Sequence, residues 1–201
     1  IPAGTIITAA AGTTTSAFIG VERGATINIS GTASNPVVMT AETQSAGAWG
    51  GLAIAGYGIT NAGVDVTSEV GDLTYGGTDN TDSSGSITYL RVEYTGATFT
   101  NDKEFNGVTL FGVGSGTIFK NVSSVNGGDD GIEFFGGAVD AENLVSINSG
   151  DDSIDFADGF TGSITNAYIK GITKAGIEGS NNGDDGSLEP VTTATISNVT
   201  M

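Results

Sequence analysis

The chain has 201 residues, enough for one sizeable core, and carries 33 glycines, three prolines, six Lys+Arg and 23 Asp+Glu, a net charge of −17. Such a surface repels nucleic acid and anionic membranes, and no apolar run is long enough to span a bilayer. The absence of cysteine and histidine excludes disulfides, thiol catalysis, Ser-His-Asp or Cys-His nucleophilic centres and His-ligated metals.

The glycine excess, without a collagen period but with abundant Thr, Ile and Val, predicts many short strands joined by tight turns. Ile1 opens in mid-pattern with neither an initiator Met nor a charged n-region, which reads as an excised or processed piece. Val21 to Ala33 and Asn35 to Thr40 read as two strands around a turn, and Trp49 to Ile54 as another. Residues 61–85, rich in Gly, Asp, Thr and Ser, read as a long excursion of the kind that carries binding function. Within it, Tyr75 is the aromatic expected to be exposed and to stack on a ligand.

From residue 86 onward the chain is self-similar. Asn121, Asn143, Asn166 and Asn198 occupy equivalent places in Ile118-Phe119-Lys120-Asn121, Ala141-Glu142-Asn143, Ile164-Thr165-Asn166 and Ile196-Ser197-Asn198, with steps of 22, 23 and 32; the last gap contains a loop-like insertion, 179–186. An earlier copy, Ser86-Ile87-Thr88-Tyr89-Leu90, matches without the Asn when Ile87 is set against Ile118, 31 residues on. A second register runs in step: Asp129-Asp130-Gly131-Ile132-Glu133-Phe134, Asp151-Asp152-Ser153-Ile154-Asp155-Phe156 and Lys174-Ala175-Gly176-Ile177-Glu178, with Phe105 to Leu110 as a first member.

Two phase-locked motifs in one repeat of about 22 residues predict an all-β, right-handed parallel β-helix forming a single domain over 1–201, less regular over 1–85 and regular over 86–201. Alternation points Ile132, Ile154, Ile177, Phe134 and Phe156 inward, and Glu133, Asp155 and Glu178 outward. The asparagine column reads as structural, one amide hydrogen-bonding to the next.

Several phrases together, among them Ile1-Pro2-Ala3-Gly4-Thr5, Val21-Glu22-Arg23-Gly24-Ala25, Trp49-Gly50-Gly51-Leu52, Tyr75-Gly76-Gly77 and Gly127-Gly128-Asp129-Asp130-Gly131, resemble the pectin-lyase-like β-helix superfamily, and within it the large secreted surface proteins of gliding-type Gram-negative bacteria. The resemblance implies export, an extracellular or cell-surface setting and further segments in a parent protein. The superfamily's pectin hydrolases share the Gly-x-Asp-Asp turn but add Asn-Thr-Asp, His-Gly and Arg-Ile-Lys. Here Phe105-Asn106 lacks the acid, histidine is absent and Tyr168-Ile169-Lys170 lacks the arginine, so hydrolysis of that type is not expected.

Asp129, Asp130, Asp151 and Asp152 should share one corner of adjacent coils, with Glu133 and Asp155 further along the same edge. Two unit charges about 4.8 Å apart repel by roughly 1 kcal/mol in water and about 3.5 kcal/mol at an effective dielectric of 20. A Ca²⁺ ion would relieve that repulsion, and irregular oxygen donors suit it better than Mg²⁺. The competing reading is that each Asp-Asp pair simply makes the turn, the carboxylates capping local N–H groups.

Two functions follow as expectations. The first is a non-enzymatic structural or adhesive surface module, calcium-stabilised, contacting glycans or other surface proteins alongside the flanking segments of its parent. The alternative is a calcium-dependent polysaccharide lyase acting on uronate polymers, with Lys174, which falls in register with Asp129 and Asp151, as the base. Against that role, a lysine at this position also relieves the acid ladder.

Overall fold

The computed structural model describes residues 1–12, 17–100 and 103–201, and among these there are seventeen strands and no helix. In chain order the first seven are β1 (Ile6–Ala9), β2 (Ile19–Val21), β3 (Ile27–Ser30), β4 (Val37–Ala41), β5 (Leu52–Ala55), β6 (Val66–Thr67) and β7 (Thr74–Tyr75). Then come β8 (Gly85–Glu93), β9 (Thr98–Thr100), β10 (Lys103–Glu104), β11 (Val108–Phe111) and β12 (Ile118–Val125). The last are β13 (Ile132–Phe135), β14 (Ala141–Ile147), β15 (Ile154–Ala157), β16 (Ser163–Lys170) and β17 (Thr195–Thr200).

Two parallel sheets form the walls of a β-helix. The long-strand sheet runs β1-β4-β8-β12-β14-β16-β17 with β3 also on β8, and the short-strand sheet runs β15-β13-β11-β5-β2. Each regular coil contributes one strand to each, so Ile132 pairs with Ile154 and Leu144 with Ala167, steps of 22 and 23. Inward columns fill the interior: Leu52, Val108, Ile132 and Ile154 along one sheet face Val37, Leu90, Val122, Leu144 and Ala167 along the other in one continuous core. Like residues therefore stack on like, the arrangement that makes solenoid stability a matter of neighbouring coils.

In the long strands one residue per coil is left-handed and bends the strand. Asn121, Asn143, Asn166 and Asn198 have φ of 57°, 59°, 61° and 57°, a conformation asparagine tolerates better than other non-glycine residues. Each amide donates to the previous one, Asn143 to Asn121 at 2.9 Å, Asn166 to Asn143 at 3.0 Å and Asn198 to Asn166 at 3.1 Å. The earlier copy sits one residue away from its expected alignment. Ile87 pairs with Phe119, not Ile118, which puts Tyr89 in the asparagine column at φ 51°. Since a one-residue slip exchanges inside for outside, the burial of both Ile87 and Phe119 fixes the register.

The excursion is not a loose loop. β6 and β7 form a small antiparallel hairpin. Val66, Val70, Leu73 and Tyr75 pack down on Ala53, Ala55, Phe111 and Phe135 on the outer side of the short-strand sheet, forming a second hydrophobic cluster. Phe105, Phe99 and Phe18 extend it. The short-strand sheet is thus covered on both faces. Arg23 ties the cover to the coil, donating to the Gly76 carbonyl, pairing with Asp65 at 2.5 Å and lying 4.7 Å from the Tyr57 ring centre.

Candidate functional site

The Asp-Asp turns lead into β13 and β15. Their second aspartates knit coil to coil: the Asp152 N–H donates to Asp130 Oδ1 at 2.8 Å, and the Ala175 N–H donates to Asp152 Oδ1 at 2.7 Å. The coils meet so closely here that a Cβ on Gly150 would collide with the Gly128 carbonyl oxygen. The sequence reading has these carboxylates capping N–H groups of their own turn; Asp130 and Asp152 instead accept from the N–H groups of the next coil.

That role leaves carboxylate oxygens over. Asp129, Asp130 and Asp151 each offer one oxygen within 4.8 Å of the others, and so do Asp130, Glu133 and Asp155. Asp130 belongs to both groups. Asp152 belongs to neither; it is paired with Lys174, whose Nζ lies 3.0 Å from Asp152 Oδ2, 3.2 Å from Asp151 Oδ2 and 3.1 Å from Glu178 Oε2.

Burial makes the cluster electrostatically strained. Desolvation, then the Asp151 charge, pushes Asp129 up to about 6. Desolvation pushes Asp130 up to about 8, against the hydrogen bond from Asp152, and holds Glu133 well above the carboxylate range. Asp155 is raised as well, chiefly by burial. Asp152 goes the other way: burial opposes its charge, but a hydrogen bond shared with the Glu178 carboxyl group, and those from Lys174 and the Ala175 N–H, hold it below the usual value. Lys174 is raised by its hydrogen bonds to Asp152, Glu178 and Asp151, so it stays an ammonium. Proton abstraction needs the neutral amine.

The sequence points Glu133 outward, and in the structure outward does not mean exposed. Its side chain does leave the outer side of β13, but the residue is only 7% exposed because the cover closes over that side of the sheet. Asn106 Nδ2 donates to Glu133 Oε2, and Glu69, from the excursion, adds to the repulsion that Glu133 feels. Glu69 itself is pushed up to about 7, mainly by desolvation. Asn106 sits at the place where the missing acid was noted, so its position was legible though its contact was not. Nothing in the sequence singled out Glu69.

Tyr75, expected to be exposed, is a correction. It is 4% exposed, tilted against Phe111 with ring centres 5.1 Å apart, and its hydroxyl donates to Asp158 Oδ2 at 3.4 Å. Composition made this segment look loose, whereas its scattered apolar residues bury the ring. Tyr75 still borders a cleft of about 280 Å³, shared with Glu69, Lys103, Asp158 and Asn182, but offers it no free ring face.

The donor set fits a hard cation. Besides the carboxylates, Asn106 Oδ1 is buried with no hydrogen-bond partner while the same amide is bonded to Glu133. A neutral amide oxygen among carboxylates is the kind of ligand Ca²⁺ takes. A family model described as a pectate-lyase-like beta helix domain matches residues 1–201. The chain belongs to that family. No curated protein and no solved structure matches it significantly. Pectate-lyase-like domains are typically extracellular, and among the described residues no helix is long and apolar enough to cross a membrane.

Proposed function

We propose that this pectate-lyase-like β-helix domain is a non-enzymatic extracellular or cell-surface module, structural and adhesive, that contacts glycans or neighbouring surface proteins and is stabilised by Ca²⁺. The observation that carries the calcium reading is the pair of carboxylate groups sharing Asp130, with the orphaned amide oxygen of Asn106 beside them. Asp129, Asp130, Asp151, Glu133 and Asp155 would hold the ion, which when bound supplies the countercharge that burial denies them. Asp152 keeps its place through Lys174 and the Ala175 N–H. The lyase alternative loses support because Lys174 is bound by three carboxylates.

Thermal unfolding in excess EGTA, across a calcium titration and with magnesium as control, tests the reading. A ligand that binds only the native state stabilises it by about 2.7 kcal/mol at 100 times its Kd. The midpoint should climb with calcium and move much less with magnesium. A midpoint indifferent to calcium would reduce the Asp-Asp pairs to turn-formers.

A further inference from the structure

If the module grips glycans, Tyr75 cannot be the stacking surface, since Phe111 and the cover enclose its ring. The opposite wall offers a different one. Along the outer side of the long-strand sheet, where the asparagine column bends each strand, two adjoining hollows of about 280 and 430 Å³ share Asn143 and Val145. Together they form a groove parallel to the helix axis, from Tyr89 and Arg91 at one end to Tyr168 and Thr200 at the other. Arg91, Ser123, Val145, Tyr168 and Thr200 are one register column, so each coil repeats the same wall position.

We infer that this groove is the docking surface for an extended, uncharged polysaccharide lying along the solenoid axis, an inference that rests on the glycan-binding reading above. Three observations select that occupant. In a chain of net charge −17 no Asp or Glu lines the groove, and Arg91 and Lys120 are neutralised, by Glu93 at 2.5 Å and by Glu142 at 2.7 Å, which leaves Lys170, two residues beyond Tyr168, as the one cation of that sheet without an ion pair among the described residues. A neutral polymer meets no repulsion there, and a polyanion finds little unpaired positive charge. Tyr168 is 45% exposed, an available ring face for a sugar.

The third observation is the column itself. An asparagine amide has two N–H groups and an oxygen with two lone pairs. The ladder uses one of each on Asn143 and Asn166, leaving on each rung one donor and one acceptor for hydroxyls. Rungs repeating at roughly 4.8 Å suit a linear polymer with one sugar ring per coil. A globular partner has no use for that period.

Isothermal titration calorimetry of the intact chain with neutral β-linked gluco- and manno-oligosaccharides of increasing length, and with oligogalacturonate, tests this. Neutral oligosaccharides should bind, with affinity rising up to about five sugars and then levelling, one ring for each coil along the groove. Tyr168→Ala should weaken binding about tenfold, and Val145→Arg, whose long side chain obstructs the groove where the two hollows meet, at least as much. Binding that survives both changes but is lost in Tyr75→Phe would move the site to the cleft on the other sheet and overturn the groove, while the glycan reading stands. Binding of oligogalacturonate alone would overturn the neutral occupant. No binding by any member of the series would sink the glycan reading, and the groove with it.

Discussion

The two walls of this β-helix share a backbone geometry and differ in what lies outside them. The short-strand sheet is roofed by the excursion between β5 and β8, so its outer side is a second core in which Phe111 and Phe135 stack at 4.9 Å and Glu133 is buried. The long-strand sheet is bare, its outward residues are half-buried or exposed, and its Arg91 and Lys120 are paired with Glu93 and Glu142. The contrast comes from where the chain inserts extra length. Excursions leave at the ends of the short strands, whereas the asparagine bends admit only the turn between β3 and β4. Roofing one wall creates a low-dielectric pocket for carboxylates; leaving the other bare keeps a regular surface.

The largest effect should come from removing the roof's footing. Phe111 is fully buried between Tyr75 and Phe135, so Phe111→Ala should cost about 3–5 kcal/mol in urea unfolding. Tyr168→Ala on the bare wall should stay within about 0.5 kcal/mol of wild type. Equal costs would mean that the excursion is not part of the cooperative fold.

Next in size is a pH dependence belonging to the roofed wall alone. Asp129, Glu69 and Asp130 are pushed up to about 6, about 7 and about 8 by burial. An acid whose folded pKa lies above its unfolded one binds more protons when folded. Its contribution is fully present below the unfolded value and lost as pH rises through the folded one. In EGTA, stability should therefore fall as pH rises between about pH 4 and 8. Calcium should reverse the slope, since it binds the deprotonated carboxylates. Glu133→Gln should raise the EGTA midpoint at pH 8 and blunt the calcium response. A flat EGTA profile would mean that solvent reaches the cluster and the roof does not seal it.

How legible this was in the sequence follows the same divide. The asparagine steps located one ladder, and the Asp-Asp steps placed Asp129 over Asp151 and Lys174, because stacking forces equivalent residues into columns that survive as spacing. Alternation correctly sent Ile132 and Phe134 inward and Glu133 outward. It could not say that outward meant buried, because alternation names a face and not what covers it. The cover's own apolar residues, Val66, Val70, Leu73 and Tyr75, are spread among glycines and polar residues without a period, so 61–85 read as an open loop. Tyr89 was missed as a ladder member because a tyrosine at positive φ has no sequence signature; only the pairing of Ile87 with Phe119 exposes it.

The smallest predicted effect dissects the bare wall's own device. Asn166 combines a left-handed backbone, φ 61°, with two ladder hydrogen bonds, to Asn143 at 3.0 Å and from Asn198 at 3.1 Å. Asn166→Gly keeps the backbone permissible and removes the bonds, whereas Asn166→Ala removes the bonds and adds the left-handed penalty of about 1 kcal/mol or somewhat more. Exposed bonds of this kind contribute about 0.5–1 kcal/mol each at most, so urea midpoints should fall in the order Asn, Gly, Ala with steps of about 1 kcal/mol. A glycine variant as stable as wild type would show that the column is asparagine for its backbone alone. The amides would then be free to exchange their ladder bonds for bonds to a ligand at no cost in stability.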